Sequence, residues 1–198
     1  MKIFCFFILT VFAFSCYKKK AITNGKHTMP QQYYLLDKHT KGLTVKNDTI
    51  LYKEKKLNGV IFSLDMKSND TLCTESYVNG LLDGVSKKWY YNRQLMEFRI
   101  YKDGQKNGSQ TAYFENGKMK FVFNANNDKY EGELKEWNID GKLIHLATFK
   151  NGQEEGIQKM WYDNGKIRAN YVMLNGKRFG LLGTKNCKNV SDSIFNVN

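Results

Sequence analysis

The feature that most constrains this chain is a period of 24 residues that runs through its middle and C-terminal parts. A glycine recurs at this spacing, and an aromatic ring follows each of the first four of these glycines. A fixed period of this length is the mark of a repeat array, in which each unit is stabilised mainly by its neighbours. The glycines are Gly84, Gly108, Gly132, Gly156 and Gly180, and the rings are Trp89, Tyr113, Trp137 and Trp161.

Each unit carries two turn signals, as the stretch 101–117 (YKDGQKNGSQTAYFENG) illustrates. The first is Asp103-Gly104, followed by Gly108, and the second is Asn116-Gly117. Such pairs favour positive φ, and the primed turns built on them match the twist of paired strands. We also interpret the recurrent glycines, such as Gly108, as turn positions. Each unit is therefore predicted to form two strands and two turns.

Summed from Gly42, these units predict an all-β fold, an elongated single-layer antiparallel β-meander of 24-residue hairpin repeats with about 12 strands. The single proline, Pro30, precedes the array, which agrees with long ladders because proline removes a backbone donor. The spacing from Gly59 to Gly84 is 25 residues, so one extra residue is expected in the turn at 68–70.

The recurrent aromatic residues fall into two sets with different expected roles. The four rings Trp89, Tyr113, Trp137 and Trp161 are interpreted as structural rungs, one per unit. Cross-strand aromatic pairs of this kind contribute about 0.2–1 kcal/mol each. The residues that follow them point to the opposite face by strand alternation, and we expect these to be the exposed binding aromatics. They are Tyr90, Phe114 and Tyr162.

The N-terminus has the features of an export signal. Residues 1–15 have a charged start, an apolar middle and a small-residue end, and they are shorter than the roughly 20 apolar residues of a transmembrane helix. Cys16 follows directly, as in a bacterial lipoprotein box, so we expect lipidation there and anchoring at the outer membrane or a periplasmic face. Plain secretion and an uncleaved anchor are the alternatives. The expected regions are a signal peptide (1–15), a basic tether (16–41), the repeat domain (42–180) and a C-terminal cap or tail (181–198).

The residues that most often carry chemistry are few and scattered. About nine strands, or roughly 40 Å, would separate Cys73 from Cys187, so no intramolecular disulfide is expected, and intermolecular bridges stay open. The three histidines, His27, His39 and His145, lack the spacing of a zinc site. No nucleophile, base and orienting group converge. The sequence therefore predicts no metal, no cofactor and no enzymatic activity.

The repeated pattern resembles the MORN repeat, in the bacterial variant found in proteins often labelled YwqK-type antitoxins. The stretches 101–117 and 149–165 match closely, Arg93 replaces a turn glycine, and the stretch 125–141 departs at Ala125 and Asp128. The resemblance covers about residues 52–180. It implies a binding or scaffolding module, since MORN proteins are associated with membrane-proximal assembly and with lipid or protein contacts.

The charge balance indicates what such a module would bind. The formal net charge is +12, which attracts acidic surfaces. We therefore expect a cell-envelope lipoprotein that binds an unknown protein or an acidic envelope polymer noncovalently, with the membrane reached through its lipid anchor. No nucleic-acid partner is expected. The alternative is an immunity or antitoxin-like lipoprotein that neutralises a toxin.

Overall fold

The structure is a computed structural model that describes residues 32–181. The predicted signal peptide, Cys16, the tether residues 16–31 and the tail 182–198, including Cys187, lie outside the described residues. The described part contains strands and turns and no helix. Its sixteen strands are β1 (Tyr34–Asp37), β2 (Leu43–Lys46), β3 (Thr49–Tyr52), β4 (Lys55–Lys56), β5 (Gly59–Leu64), β6 (Thr71–Val78), β7 (Leu81–Trp89), β8 (Leu95–Lys102), β9 (Gln105–Lys106), β10 (Gly108–Tyr113), β11 (Met119–Asn126), β12 (Lys129–Trp137), β13 (Leu143–Lys150), β14 (Gln153–Trp161), β15 (Ile167–Leu174) and β16 (Lys177–Leu181).

One large sheet dominates the described structure. It has 13 strands, and from β5 to β16 the strands follow one another in chain order and pair antiparallel, with the short β9 pairing only with β8. This arrangement confirms the predicted meander of about 12 strands. Neighbouring strands are also neighbours in the sequence, so each repeat is held by contacts that are local along the chain.

The first strand departs from the predicted architecture. β1 pairs with β5 in parallel, from Tyr34 opposite Gly59 to Asp37 opposite Phe62. The segment that was expected to be a tether up to residue 41 therefore contains a strand, and the main sheet is mixed. A parallel pair requires a long crossover connection. Residues 38–58 supply it, and within them β2, β3 and β4 form a separate three-stranded sheet.

The small sheet joins the first repeat through its backbone. Ile50 N donates to Gly80 O at 2.8 Å, and Gly80 N donates to Leu57 O at 2.7 Å. The Leu57 side chain is completely buried, and the neighbouring Asn58 side chain accepts a hydrogen bond from Asn79 N at 2.8 Å. These hydrogen bonds attach the small sheet to the N-terminal end of the array.

The two turns of each repeat differ in backbone conformation. In the first turn both central residues have positive φ, for example 49° at Asp103 and 84° at Gly104, as a primed turn requires. In the second turn Gly117 has a φ of 83° and donates its N–H to Phe114 O at 2.9 Å, whereas Asn116 has no positive φ. The prediction of a primed turn at this position was wrong. A three-residue loop with a left-handed glycine at its end forms instead.

The recurrent glycines lie inside strands or at strand starts, not in turns as the sequence predicted. In β7, Tyr77 pairs with Leu82 and Glu75 pairs with Ser86, so residues 83–85 face the single residue 76. This is a β-bulge, and its left-handed residue is Gly84, with a φ of 100°. Bulges of this kind bend the strand, and register shifts also occur at β12 and β14, whereas the pairing of β15 with β16 is regular. The equivalent glycines, Gly108, Gly132, Gly156 and Gly180, also have positive φ.

The buried positions follow the same period. Gln110 and Gln158 are almost completely buried, with 0% and 1% of their surface exposed. Gln110 Nε2 donates to Ile100 O at 2.8 Å, and Gln158 Nε2 donates to Thr148 O at 2.7 Å. The same position in the other repeats holds the buried Ser86 and Leu134. Packing between neighbouring strands is therefore dense enough to bury long side chains.

Candidate functional site

The strand register sorts the side chains of the sheet into two faces, because residues opposite each other in an antiparallel pair project to the same side. One face carries a row of alternating lysine and apolar side chains, which we call the lysine face. Lys87 lies opposite Phe98, and Lys135 lies between Val122 on one side and Leu146 on the other. The row, in sheet order, is Lys87, Phe98, Thr111, Val122, Lys135, Leu146 and Lys159.

The three lysines of this row occupy the same position of their repeats, with Thr111 at the remaining one. Each is half-buried, so its aliphatic stem covers apolar neighbours while its ammonium group reaches solvent. The Lys87 ammonium lies 5.7 Å from the centroid of the Phe98 ring. Lys135 donates to Glu133 Oε2 at 2.7 Å. Two strand spacings separate Lys135 from Lys159, which places them about 10 Å apart along the row.

Exposed apolar side chains extend the lysine face towards the C-terminal end of the array. Ile157 lies opposite Val172, and Val172 lies opposite Phe179, so the three form one cross-strand row. Their exposed fractions are 46%, 43% and 56%. Ile157 is two residues from Lys159 in β14, which places this row beside the last lysine on the same face.

The opposite face carries carboxylates that are paired within the protein. Glu97 lies opposite Lys88 and contacts Arg99 Nη2 at 3.3 Å. Glu136 lies opposite His145, and Nδ1 of that ring lies 3.0 Å from Glu136 Oε2. This hydrogen bond lowers the pKa of the Glu136 carboxyl, against the opposing effect of its partial burial. Negative charge on this face is therefore mostly satisfied internally.

Aromatic contacts on the carboxylate-bearing face run from β8 to β13 and join residues of four of the strands in that span. The Arg99 guanidinium lies 4.9 Å from the centroid of the Phe121 ring. Phe121 contacts Phe123, Phe123 contacts Tyr130, and Tyr130 contacts Phe149, with centroid separations of 5.7, 4.7 and 4.9 Å. Within residues 32–181, these three contacts between rings and the pair of Tyr34 with Tyr52 are the ring pairs of the structure.

The rings predicted to form a structural ladder do not take part in these ring pairs. Trp89, Tyr113, Trp137 and Trp161 are half-buried, and a register shift accompanies each of them, as between Ala112 and Tyr113. None of the ring pairs among the described residues joins two of them. Successive rings lie on strands that have one other strand between them, which places the rings about 10 Å apart and out of direct contact. The shared position therefore does not form a stack of touching rings.

The three predicted binding aromatics are not equivalent in the structure. Tyr162 is 42% exposed, whereas Tyr90 and Phe114 are half-buried. The Tyr90 hydroxyl donates to Tyr113 O at 3.0 Å, which ties one repeat to the next. Phe114 lines a cleft instead. Each begins the second turn of its repeat, just after a strand ends.

This cleft, which we call the inter-repeat cleft, brings together side chains of two successive repeats. It has a volume of about 240 Å³. The Lys120 ammonium lies 5.7 Å from the centroid of the Phe114 ring. Sequence reasoning named Phe114 and Trp137 but missed the others, because they lie outside the recurrent motif and only the register brings them together. The lining residues are Phe114, Lys120, Phe121, Glu136, Trp137, Asn138 and Ile144.

The described residues offer no arrangement suited to a metal ion or a reactive thiol centre. No group of three or more His, Cys, Asp or Glu in residues 32–181 is arranged to hold a metal. Cys73 is a free, half-buried thiol, and burial raises its pKa above the ordinary value, which disfavours the reactive thiolate. No helix in the same range is long and apolar enough to cross a bilayer.

Comparisons with known proteins identify the repeat. The family model for the MORN repeat variant matches residues 106–127 and 154–172, which correspond to β9–β11 and β14–β15. No curated protein matches the chain. Two solved structures show partial similarity. One is S. aureus TarM, as a mutant in complex with Fondaparinux, alpha-GlcNAc-glycerol and UDP, at 19% identity and a TM-score of 0.30, and the other is TarM at 18% identity and a TM-score of 0.29. In each case 50% of this chain aligns with 20% of the other chain, so the chain spans about one fifth of their length.

Proposed function

Because this chain is a MORN-variant repeat protein, whose repeats form a binding module, we propose that it binds an acidic partner noncovalently at the cell envelope. The observation that carries the proposal is the row of half-buried lysines at equivalent repeat positions on one open face. The proposed partner is an acidic envelope polymer or an acidic surface of an envelope protein. The proposed anchor is a lipid on Cys16, which lies outside the described residues.

The chemistry of the lysine face supports an extended acidic partner. Four strand spacings separate Lys87 from Lys135 and two separate Lys135 from Lys159, so an extended partner with repeated negative charges meets several of them at once. The apolar side chains between them, such as Leu146, provide contact area that adds to the electrostatic attraction. The ion pair of Lys135 with Glu133 is solvent-exposed and contributes about 0–1 kcal/mol, so a polyanion displaces it readily.

The charge distribution of the opposite face supports the same choice. There Arg99 contacts Glu97 at 3.3 Å, and only 14% of the Arg99 side chain is exposed. The Lys135–Glu133 pair of the lysine face is more exposed, at 39% and 61% of the two side chains, so solvent screens it and an external anion reaches its ammonium group more easily. The lysine face is therefore the better candidate for recognition of an acidic partner.

The test compares two triple variants with the same change in net charge. The first, Lys87→Gln with Lys135→Gln and Lys159→Gln, removes the charges of the lysine face. The matched control, Lys46→Gln with Lys55→Gln and Lys56→Gln, removes three exposed lysines of the small sheet. Binding to poly-L-glutamate and to inorganic polyphosphate is measured at low salt, where each phosphate- or carboxylate-facing lysine contributes roughly 1 kcal/mol.

We expect the first variant to bind at least about tenfold more weakly than wild type and the control to bind as wild type does within about threefold. Equal losses in both variants would show that only net charge matters and would contradict the proposed surface. Crosslinking and pulldown from intact cells then identifies the partner. Recovery of a polymer or an envelope protein that depends on the lysine face supports the proposal, whereas recovery of a toxin favours the immunity alternative.

A further inference from the structure

The inter-repeat cleft contains none of the seven residues of the lysine row and has a different chemical character. Its walls are the rings of Phe114, Phe121 and Trp137 with the side chain of Ile144, and polar groups of Lys120, Glu136 and Asn138 line it as well. Pockets for drug-sized ligands measure about 300–1,000 Å³, so a cleft of about 240 Å³ takes a group about the size of one or two small rings.

Two of the polar groups that line the cleft, those of Asn138 and Glu136, are held in place by hydrogen bonds. Asn138 Nδ2 donates to Asp163 Oδ1 at 2.9 Å, and Asn138 Oδ1 accepts from Lys142 N at 2.9 Å. His145 engages Oε2 of Glu136, which leaves Oε1 of that carboxylate to accept from a ligand. The Lys120 ammonium sits over the Phe114 ring and is a donor at the same opening. A donor and an acceptor therefore stand on a rigid frame beside aromatic walls.

We propose that the inter-repeat cleft binds a pyranose ring of a glycan, with its apolar face against Phe114 and Trp137 and its hydroxyl groups paired with Glu136 and Lys120. A sugar ring presents C–H groups on its faces and hydroxyl groups at its edge, so it matches both parts of the cleft. A purely hydrocarbon group would bury the charged side chains without partners, which costs free energy. A carboxylate or phosphate would meet the Glu136 charge.

The test uses the tryptophan of the cleft as its own reporter. The chain has three tryptophans, and the double variant Trp89→Phe with Trp161→Phe leaves Trp137 as the sole one. This protein is titrated with cellobiose and with N,N′-diacetylchitobiose, and glycerol at equal concentration serves as a polyol without a ring. We expect a saturable change of Trp137 fluorescence with at least one disaccharide, with a dissociation constant in the millimolar range, and no saturable change with glycerol.

Substitutions in the same background separate stacking from hydrogen bonding. Phe114→Leu keeps an apolar side chain but removes the ring, and Lys120→Met keeps the stem but removes the donor. Each is expected to weaken disaccharide binding about fivefold to tenfold, in line with the usual strength of one aromatic or one charged hydrogen-bond contact. Tyr91→Leu removes an exposed ring that does not line the cleft, so it is the matched control and is expected to change affinity less than twofold.

Three results would overturn the proposal. One is the absence of saturable binding of both disaccharides in a protein whose circular dichroism is unchanged. Another is wild-type affinity in the Phe114→Leu variant. The last is saturable binding of a tyrosine-containing peptide, which carries no tryptophan, in place of either sugar; this would assign the cleft to a protein partner. Because the titration uses neutral sugars and leaves Lys87, Lys135 and Lys159 intact, its outcome is independent of the lysine-face test.

Discussion

At the scale of single residues, the bulge glycines are the positions where the backbone conformation most restricts which residue type can be accommodated. Gly132 has a φ of 76°, and a Cβ built there meets nothing within 4 Å. A side chain at this position therefore destabilises the fold only through the left-handed backbone conformation that it must adopt. Gly132→Ala is expected to lower the free energy of unfolding by about 1–2 kcal/mol, measured by chemical denaturation.

The control for this prediction is Gly132→Asn, because asparagine tolerates left-handed φ better than alanine does. We expect the asparagine variant to be the more stable of the two. Equal losses from the two substitutions would mean that the bulge relaxes to an ordinary strand conformation and that φ at this position is not constrained.

The pair of Glu136 and His145 makes a second residue-scale prediction, about pH. The hydrogen bond from His145 lowers the pKa of Glu136 below its ordinary value of 4.5. A carboxyl whose pKa is lower in the folded state stabilises the fold above its unfolded pKa and loses that contribution as pH falls through the folded pKa. Glu136→Gln should therefore reduce the free energy of unfolding at pH 7 and have little effect near pH 3.

Glu133→Gln is the matched control, because Glu133 pairs with Lys135 on the surface, where 61% of its side chain is exposed. Solvent screens that pair, so its substitution is expected to change stability little at either pH. Chemical denaturation at the two pH values measures all three proteins. A loss in Glu136→Gln that is as large at pH 3 as at pH 7 would contradict the assigned cause.

At the scale of the elements, the repeat period predicted the strands well because each strand pairs with its sequence neighbour. The expected extra residue of the first unit is confirmed. Asp65 N donates to Asp70 O, whereas the equivalent bond of the next unit joins Tyr90 N to Gln94 O, one residue closer along the chain. The turn at 68–70 therefore absorbs the insertion and leaves the register of the following strands unchanged.

Elements without a copy in the array were not predictable in this way. β1 has four residues, and its pairing with β5 depends on contacts that the period does not encode. A Cβ at Gly59 would overlap the carbonyl oxygen of Tyr34, so this close approach needs glycine, but the sequence alone does not say which strand approaches it. The same ambiguity affected the bulge glycines, because positive φ suits both a turn and a bulge.

At the scale of the whole molecule, the described sheet has two faces with different chemistry. The repeat period alone did not predict this division, because it does not say which residues lie opposite each other on neighbouring strands. The lysine row and the inter-repeat cleft became visible only from the register. The array therefore combines a surface suited to acidic partners with a separate site suited to a ring of one sugar, on one rigid frame.

The proposed membrane anchor is the remaining prediction at this scale, and it concerns Cys16. Metabolic labelling with an alkyne fatty acid should label the wild-type protein, and Cys16→Ser should abolish the label and move the protein from the detergent phase to the aqueous phase. The physical reason is that acyl chains add about 0.8 kcal/mol of membrane affinity per buried methylene, whereas the basic residues Lys18, Lys19 and Lys20 attract a membrane surface only weakly. Cys73→Ser is the matched control and should remain labelled. If Cys16→Ser kept both the label and its detergent partitioning, the protein would not be a lipoprotein anchored at this cysteine.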